Sequence, residues 1–299
     1  MAKQGVYTAE LQRQSYGSTP DGAEVDIFIL TNSTGISARV ITYGCILTSV
    51  RMPDRRGSIG EITLGFDKRV WTAEELREND TVGVRFSYTS PDGEEGYPGE
   101  LKVGVTYSLN ENIELTFDYR AVTIRATPIN LTNHAYWNLS GAGSGTVYGH
   151  LLSLDCSRYL VVNEQLIPTG EILPVEGTAL DFRSEKAIGR DIDQLSVGYD
   201  HCFVADKQGA ELAAIARLVD PVSGRGMEIF TTKPAVQLYT GNFLAGIRGA
   251  NGAVFDRHTA LCLETEFFPD AVNQPGCPSA VLRPGESYHH TTVHRLFSE

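Results

Sequence analysis

Between Leu101 and Tyr119 the chain alternates apolar and polar residues with a period of two, which restricts this stretch to β-structure. Leu101, Val103, Val105 and Tyr107 share one parity; after a polar turn at Asn110–Asn112, Ile113, Leu115, Phe117 and Tyr119 do so again. Side chains at i and i+2 lie on one face of a strand, whereas a helix would repeat near 3.6. Two such runs joined by a short polar turn predict a hairpin. Val25–Leu30, Ser37–Val50, Leu212–Val219, Met227–Thr232, Ala260–Phe267 and Tyr288–Phe297 also read as strands or strand pairs. Turn clusters such as Thr19-Pro20-Asp21-Gly22 and Arg283-Pro284-Gly285 separate such runs. One short helix is expected at Thr72–Asn79, with Thr72 as N-cap and Glu75 three residues on. No βαβ alternation, Gly-rich phosphate loop, heptad run, linker or internal repeat is evident. The chain therefore reads as all-β: one large antiparallel β-sandwich domain spanning residues 1–299, with few short helices.

Composition narrows the partners. A 299-residue chain with 41% hydrophobic content can bury a full core, and its formal net charge of −12 argues against nucleic acid or an anionic membrane surface. The first residues lack the apolar run of a signal peptide, and no stretch is apolar for the ~18 residues a spanning helix needs. Five scattered cysteines without a Cys-x-x-Cys pair read as reduced thiols. A cytoplasmic protein acting on a neutral small molecule fits these features.

Residues 130–139, Asn-Leu-Thr-Asn-His-Ala-Tyr-Trp-Asn-Leu, hold the strongest candidate chemistry. His134 can exchange protons near neutral pH. On a strand it would share its face with Thr132 and Tyr136. Asn133, Ala135 and Trp137 would point the other way, though the amides of Asn133 and Asn138 and the flat rings of Tyr136 and Trp137 make sugar-like company in the sequence. The alternative is a histidine satisfied by hydrogen bonds within a sheet. Glu264 supplies a carboxylate in an apolar run, with Leu261 and Leu263 on the opposite face. It is either a solvated face residue or a desolvated one with a raised pKa. Glu266 shares its face roughly 7 Å along the strand, and two such charges would raise each other's pKa. Asp200 and His201 precede a strand but diverge as neighbours; Asp200 could equally cap a loop. Gln237 is a lone amide in an apolar run. The spacing of His289, His290 and His294 matches no ligand pattern, so no metal is expected.

These segments together resemble the aldose 1-epimerase (galactose mutarotase) family, in its animal-type form. The resemblance rests on Asn130–Leu139, Gly198-Tyr199-Asp200-His201, Tyr239-Thr240-Gly241-Asn242-Phe243, Leu263-Glu264-Thr265, Ser90–Gly99 and Phe268–Pro275, in order over nearly the whole chain. It implies a sandwich of the galactose-mutarotase type that interconverts α- and β-anomers of free aldohexoses such as galactose and glucose. By the family's motifs, His134 would be the proton donor and Glu264 the proton acceptor. Tyr136, Asp200 and Gln237 would bind the sugar. It implies no cofactor, and a monomer is expected. Glu266 stands where glutamine is common, and is expected to tune the base without replacing it.

One departure is large. The family's two separate Gly-Phe sites collapse here into the single run Ile62-Thr63-Leu64-Gly65-Phe66-Asp67-Lys68-Arg69-Val70-Trp71, as if about fifty intervening residues were missing at Gly65-Phe66. In the family that segment carries Gly-Arg-x-x-Asn-Arg and Asn-x-Leu-His-Gly-Gly motifs, whose arginine and histidine bind sugar. Losing two such hydrogen bonds, at roughly 1.5–3 kcal/mol each, would weaken transition-state binding by several powers of ten. Two readings stay open: an active epimerase in shortened form, or a catalytically impaired or non-catalytic carbohydrate-binding variant. A third, an epimerase of phosphorylated hexoses, needs clustered basic residues, and the arginines here are dispersed.

Overall fold

A computed structural model describes residues 9–64, 70–78, 80–249 and 252–299. The junction at Gly65-Phe66 lies outside the described residues. Three large antiparallel sheets dominate. A five-stranded sheet runs in chain order from Glu10–Ser18 through Glu24–Thr31, Ser37–Ile41 and Ile46–Pro53 to Ile59–Glu61. A nine-stranded sheet has the order Lys186–Ala187, Leu151–Leu154, Ala213–Val219, Arg225–Thr231, Tyr288–Ser298, Glu114–Thr123, Leu101–Asn110, Thr81–Ser90, Thr72–Glu78. A second five-stranded sheet is ordered Pro168–Pro174, Arg158–Val162, Asp200–Val204, Ala235–Tyr239, Cys262–Glu266.

The alternating runs pair as their parity requires. Leu109 faces Leu115 and Tyr107 faces Phe117 across the expected hairpin, and these side chains are buried. The nine-stranded sheet packs against both smaller ones. Phe28 meets Phe86 edge-on at 5.9 Å, and Thr265 Oγ1 lies 2.6 Å from Thr292 Oγ1. One apolar cluster includes Leu30, Val84, Phe117, Phe203, Val236, Leu263 and Ile229, drawn from all three sheets. Every helical element among the described residues is a three-residue 3-10 turn, and no helix is long and apolar enough to cross a membrane.

The helix expected at Thr72–Asn79 is a strand, Thr72–Glu78, at the edge of the nine-stranded sheet; Asn79 lies outside the described residues. Its Ala, Glu, Leu and Arg favour a helix, but a segment this short has little helical stability of its own. Pairing with Thr81–Ser90, from Thr72 opposite Ser87 to Glu78 opposite Thr81, overrides that preference. Glu74, Glu75, Arg77 and Glu78 then stud an exposed edge, where charge discourages pairing with another chain.

Candidate active site

Three neighbouring strands of the second five-stranded sheet aim polar side chains at one spot because their register aligns alternate positions. Asp200 is paired with Tyr239, Gln237 with Glu264, and Ala235 with Glu266. Residues of one parity along each strand therefore converge: Asp200; Gln237 and Tyr239; Glu264 and Glu266. With His134, Tyr136, Phe243 and Pro269 they line a cleft of about 390 Å³.

His134 arrives from outside the sheet. Residues 129–135 are irregular, and only Tyr136–Trp137 form a short strand, paired with Thr63–Leu64. The segment is nevertheless pinned to the Glu264 strand. Trp137 bridges Leu261, and the Asn130 side chain donates to Phe267 O at 3.0 Å and accepts from Phe267 N at 2.9 Å. His134 Nε2 thereby faces Glu264 Oε1 at 3.4 Å, and its ring stacks on Tyr136 at 5.1 Å. Tyr239 stands edge-on to both rings, and the exposed Phe243 stacks on Tyr239 at 6.4 Å. Gln237 Nε2 donates to Asp200 Oδ1 at 2.7 Å, leaving the amide oxygen and a second carboxylate oxygen for a ligand's hydroxyls.

Burial sets the protonation of the site. It pushes Glu264 up to about 8, helped by the negative charges of Glu266 and Asp200. Glu266 is pushed up to about 7, also by burial, with Lys233 acting in the opposite direction. Asp200 is raised by burial. His134 is lowered by burial, against the pull of its own backbone and of Asp200. The imidazole, the Cys262 thiol and the Glu264 carboxylate have donor atoms within 4.8 Å of one another. Yet Cys262 Sγ meets Nδ1 and Glu264 meets Nε2, so one ion could not take both approaches through a single ring nitrogen. Burial also pushes the thiol far up and keeps it protonated. The donor set does not suit a chelate.

The structure brings His134, Tyr136, Asp200, Gln237, Glu264 and Glu266 together, with Asp200 in a strand and not a loop cap. It removes four other candidates from the cleft. Trp137 and Asn138 are buried, and Asn138 serves the carbonyls of Gly145 and Thr259. Asn133 donates to Tyr107 Oη, and the Thr132 hydroxyl is buried. Because the backbone around His134 is irregular, strand parity did not apply to Thr132. His201 packs against Tyr159. His289, His290 and His294 meet Asp118, Thr232 and the Phe117 ring respectively, so they do not converge. Sequence reasoning missed Tyr239 and Phe243 as cleft residues; the parity Tyr239 shares with Gln237 was the available signal.

Gly198 positions the Asp200 strand. Its φ of +101° belongs to the left-handed region, and a Cβ there would collide with Asn242 Oδ1 and His258 Nε2. Gly198→Ala is expected to destabilise the fold by about 1–3 kcal/mol, read as a lower urea midpoint.

A sequence profile of the aldose 1-epimerase family matches residues 68–295. Galactose mutarotase from Mus musculus is 40% identical, the comparison covering 94% of this chain and 96% of the mouse protein. Aldose 1-epimerase from Escherichia coli (strain K12) is 31% identical over 94% of this chain and 97% of its own. Among solved structures, galactose 1-epimerase from Lactobacillus acidophilus NCFM superposes with a TM-score of 0.81 at 23% identity, covering 97% and 99% of the two chains, a likeness of fold. The chain belongs to the aldose 1-epimerase family, and its greater identity to the mouse protein fits the animal-type motifs. The mouse comparison spans 336 aligned positions, more than the 299 residues here, so that relative carries stretches without a counterpart in this chain.

Proposed function

We propose that this protein is an aldose 1-epimerase that interconverts the α- and β-anomers of free aldohexoses, galactose and glucose among them. The observation that carries the reading is the facing pair of His134 Nε2 and Glu264 Oε1 at 3.4 Å, on a cleft lined with hydroxyl-binding groups. The Glu264 carboxylate takes the proton of the anomeric hydroxyl. The C1=O bond forms, the C1–O5 bond breaks, and O5 receives a proton from the His134 imidazolium. Rotation about C1–C2 and the reverse transfers close the ring on its other face. Asp200 and Gln237 hold sugar hydroxyls, and Tyr136 flanks the ring beside His134.

Polarimetry on freshly dissolved α-galactose tests the proposal: equilibration should be faster than in buffer alone. A folded protein that leaves the uncatalysed rate unchanged refutes it, and calorimetric galactose binding without turnover would establish a non-catalytic sugar binder instead. The reaction needs one proton on the His134–Glu264 pair, and because Glu264 is raised and His134 lowered, the working form with that proton on His134 is the minor one at neutral pH. Activity should therefore follow a bell in pH. It should fall on the acid side below His134's ordinary 6.5 and on the alkaline side near 8, where Glu264 loses its proton. A flat profile across this range would exclude the pair as the acid and base.

We also infer that the residues missing relative to the mouse protein fall at Gly65-Phe66. The chain folds as one domain and acts as a monomer in a reducing, cytoplasmic compartment. One apolar cluster running from Leu11 to Leu296 supports a single domain, and five free cysteines support the compartment. A single cooperative melting transition, a monomer mass by sedimentation and a cytoplasmic fluorescent fusion are the corresponding tests.

A further inference from the structure

Lys233 lies in the connection from the Arg225–Thr231 strand of the nine-stranded sheet to the Ala235–Tyr239 strand of the site sheet. Its side chain is fully buried, which is uncommon for an ammonium. The ammonium donates to the carbonyl of Leu131 and, at 3.2 Å, to that of Thr265, and it lies 4.0 Å over the Tyr119 ring. Leu131 is three residues before His134, and Thr265 separates Glu264 from Glu266. One side chain thus ties the irregular segment carrying the proton donor to the strand carrying the acceptor.

A buried ammonium held only by carbonyls and a ring lacks a counter-charge, and leaving a buried charge uncompensated is strongly unfavourable. Burial draws Lys233 down to about 7, and the charge of Glu266 pulls it back up, while Lys233 in turn lowers Glu266. Glu266 shares Glu264's face of the strand and lines the same cleft, and Asn130 Nδ2 approaches it at 3.4 Å. The family's usual glutamine there would leave Lys233 without its anion.

We propose, resting on the epimerase reading, that Lys233 is a positioning residue: with Glu266 it forms a charge-compensated brace that holds the His134 segment against the Glu264 strand and governs how readily Glu264 releases its proton. Among the described residues, the titratable groups facing Glu264 are Glu266, Asp200, His134, Tyr136, Tyr239, Cys262 and Cys202. Those facing Lys233 are Glu266, Tyr119 and His290, and burial with the nearby cations holds His290 down at about 4, neutral in the working range. Glu266 is therefore the group that answers Lys233 and repels Glu264 at once.

The test is a carbon-13 carboxyl titration of glutamate-labelled protein by NMR, with Glu264→Gln and Glu266→Gln assigning the two resonances. Glu266→Gln should move the Glu264 midpoint down by about one pH unit, because it removes a like charge on the same face. Lys233→Met should move the Glu266 midpoint up by a similar amount, and adding Glu266→Gln to Lys233→Met should restore part of the lost urea resistance. A Glu264 midpoint that stays put in Glu266→Gln overturns the proposal, whether or not Lys233→Met folds. A Glu266 midpoint that does not rise in a folded Lys233→Met also overturns it. The titration needs no turnover, so a protein inert in the polarimeter would refute the epimerase reading without disturbing this readout.

Discussion

Glu264→Gln is expected to abolish most catalysed mutarotation, lowering kcat by about 10²–10⁴-fold while leaving KM for galactose within a few-fold. Glutamine keeps the volume and the hydrogen-bonding reach of the side chain but cannot accept the anomeric proton. The loss should therefore fall on the chemical step and not on binding. Gln237 and Asp200, 2.7 Å apart across the neighbouring strands, would still hold the sugar. His134→Ala should produce a comparable fall through loss of the donor. Initial rates by polarimetry over a range of galactose concentrations separate kcat from KM. A Glu264→Gln variant with near wild-type kcat would remove Glu264 from the mechanism.

The same substitution should stabilise the fold, and increasingly so at alkaline pH. Glu264 binds its proton more tightly in the folded chain, where burial carries it from 4.5 to about 8, than in the unfolded one. Its contribution to stability is fully present below pH 4.5 and drains away as pH rises through 8. A neutral glutamine escapes that loss. At 1.36 kcal/mol per unit, the advantage of Glu264→Gln over wild type should grow by about 3 kcal/mol between pH 6 and pH 9. Urea unfolding at the two pH values measures it directly. An advantage that does not change with pH would mean Glu264 titrates normally, and the electrostatic account of the site would fail. The site thus trades stability for a base poised near neutral pH, a pattern common where catalytic groups are desolvated.

Much of the architecture was legible because a period of two is a local property. The Leu101–Tyr119 hairpin, the Ala260–Phe267 run and the C-terminal strand each announce their buried face without reference to anything distant. Thr72–Glu78 was misread because its composition favours a helix, while its conformation is decided by the seven residues of the next strand it pairs with, Thr81 to Ser87. Within the site, Glu264, Glu266, Asp200 and Gln237 were found by motif and parity. Parity turned Asn133 and Trp137 away from His134, as they are, but Thr132, read onto His134's face, is buried, because around His134 the chain departs from strand geometry; Asn133 and Asn138 turn inward to the Tyr107 hydroxyl and to the carbonyls of Gly145 and Thr259. Lys233 gave no signal at all. In Thr-Thr-Lys-Pro it reads as a solvated turn lysine, and only the meeting of Tyr119, Leu131 and Thr265 buries it.

Residue order alone determined that this chain is an antiparallel all-β protein, which family it descends from, and which acid, base and amide side chains were available. Tertiary structure decided that five of them, from positions as far apart as His134 and Glu264, meet across one cleft, and that Glu264 holds its proton to about 8. The division has a physical cause. Side-chain parity follows from the backbone within a few residues, whereas convergence and desolvation depend on strand register and on what packs above the sheet, and these exist only when distant segments are assembled.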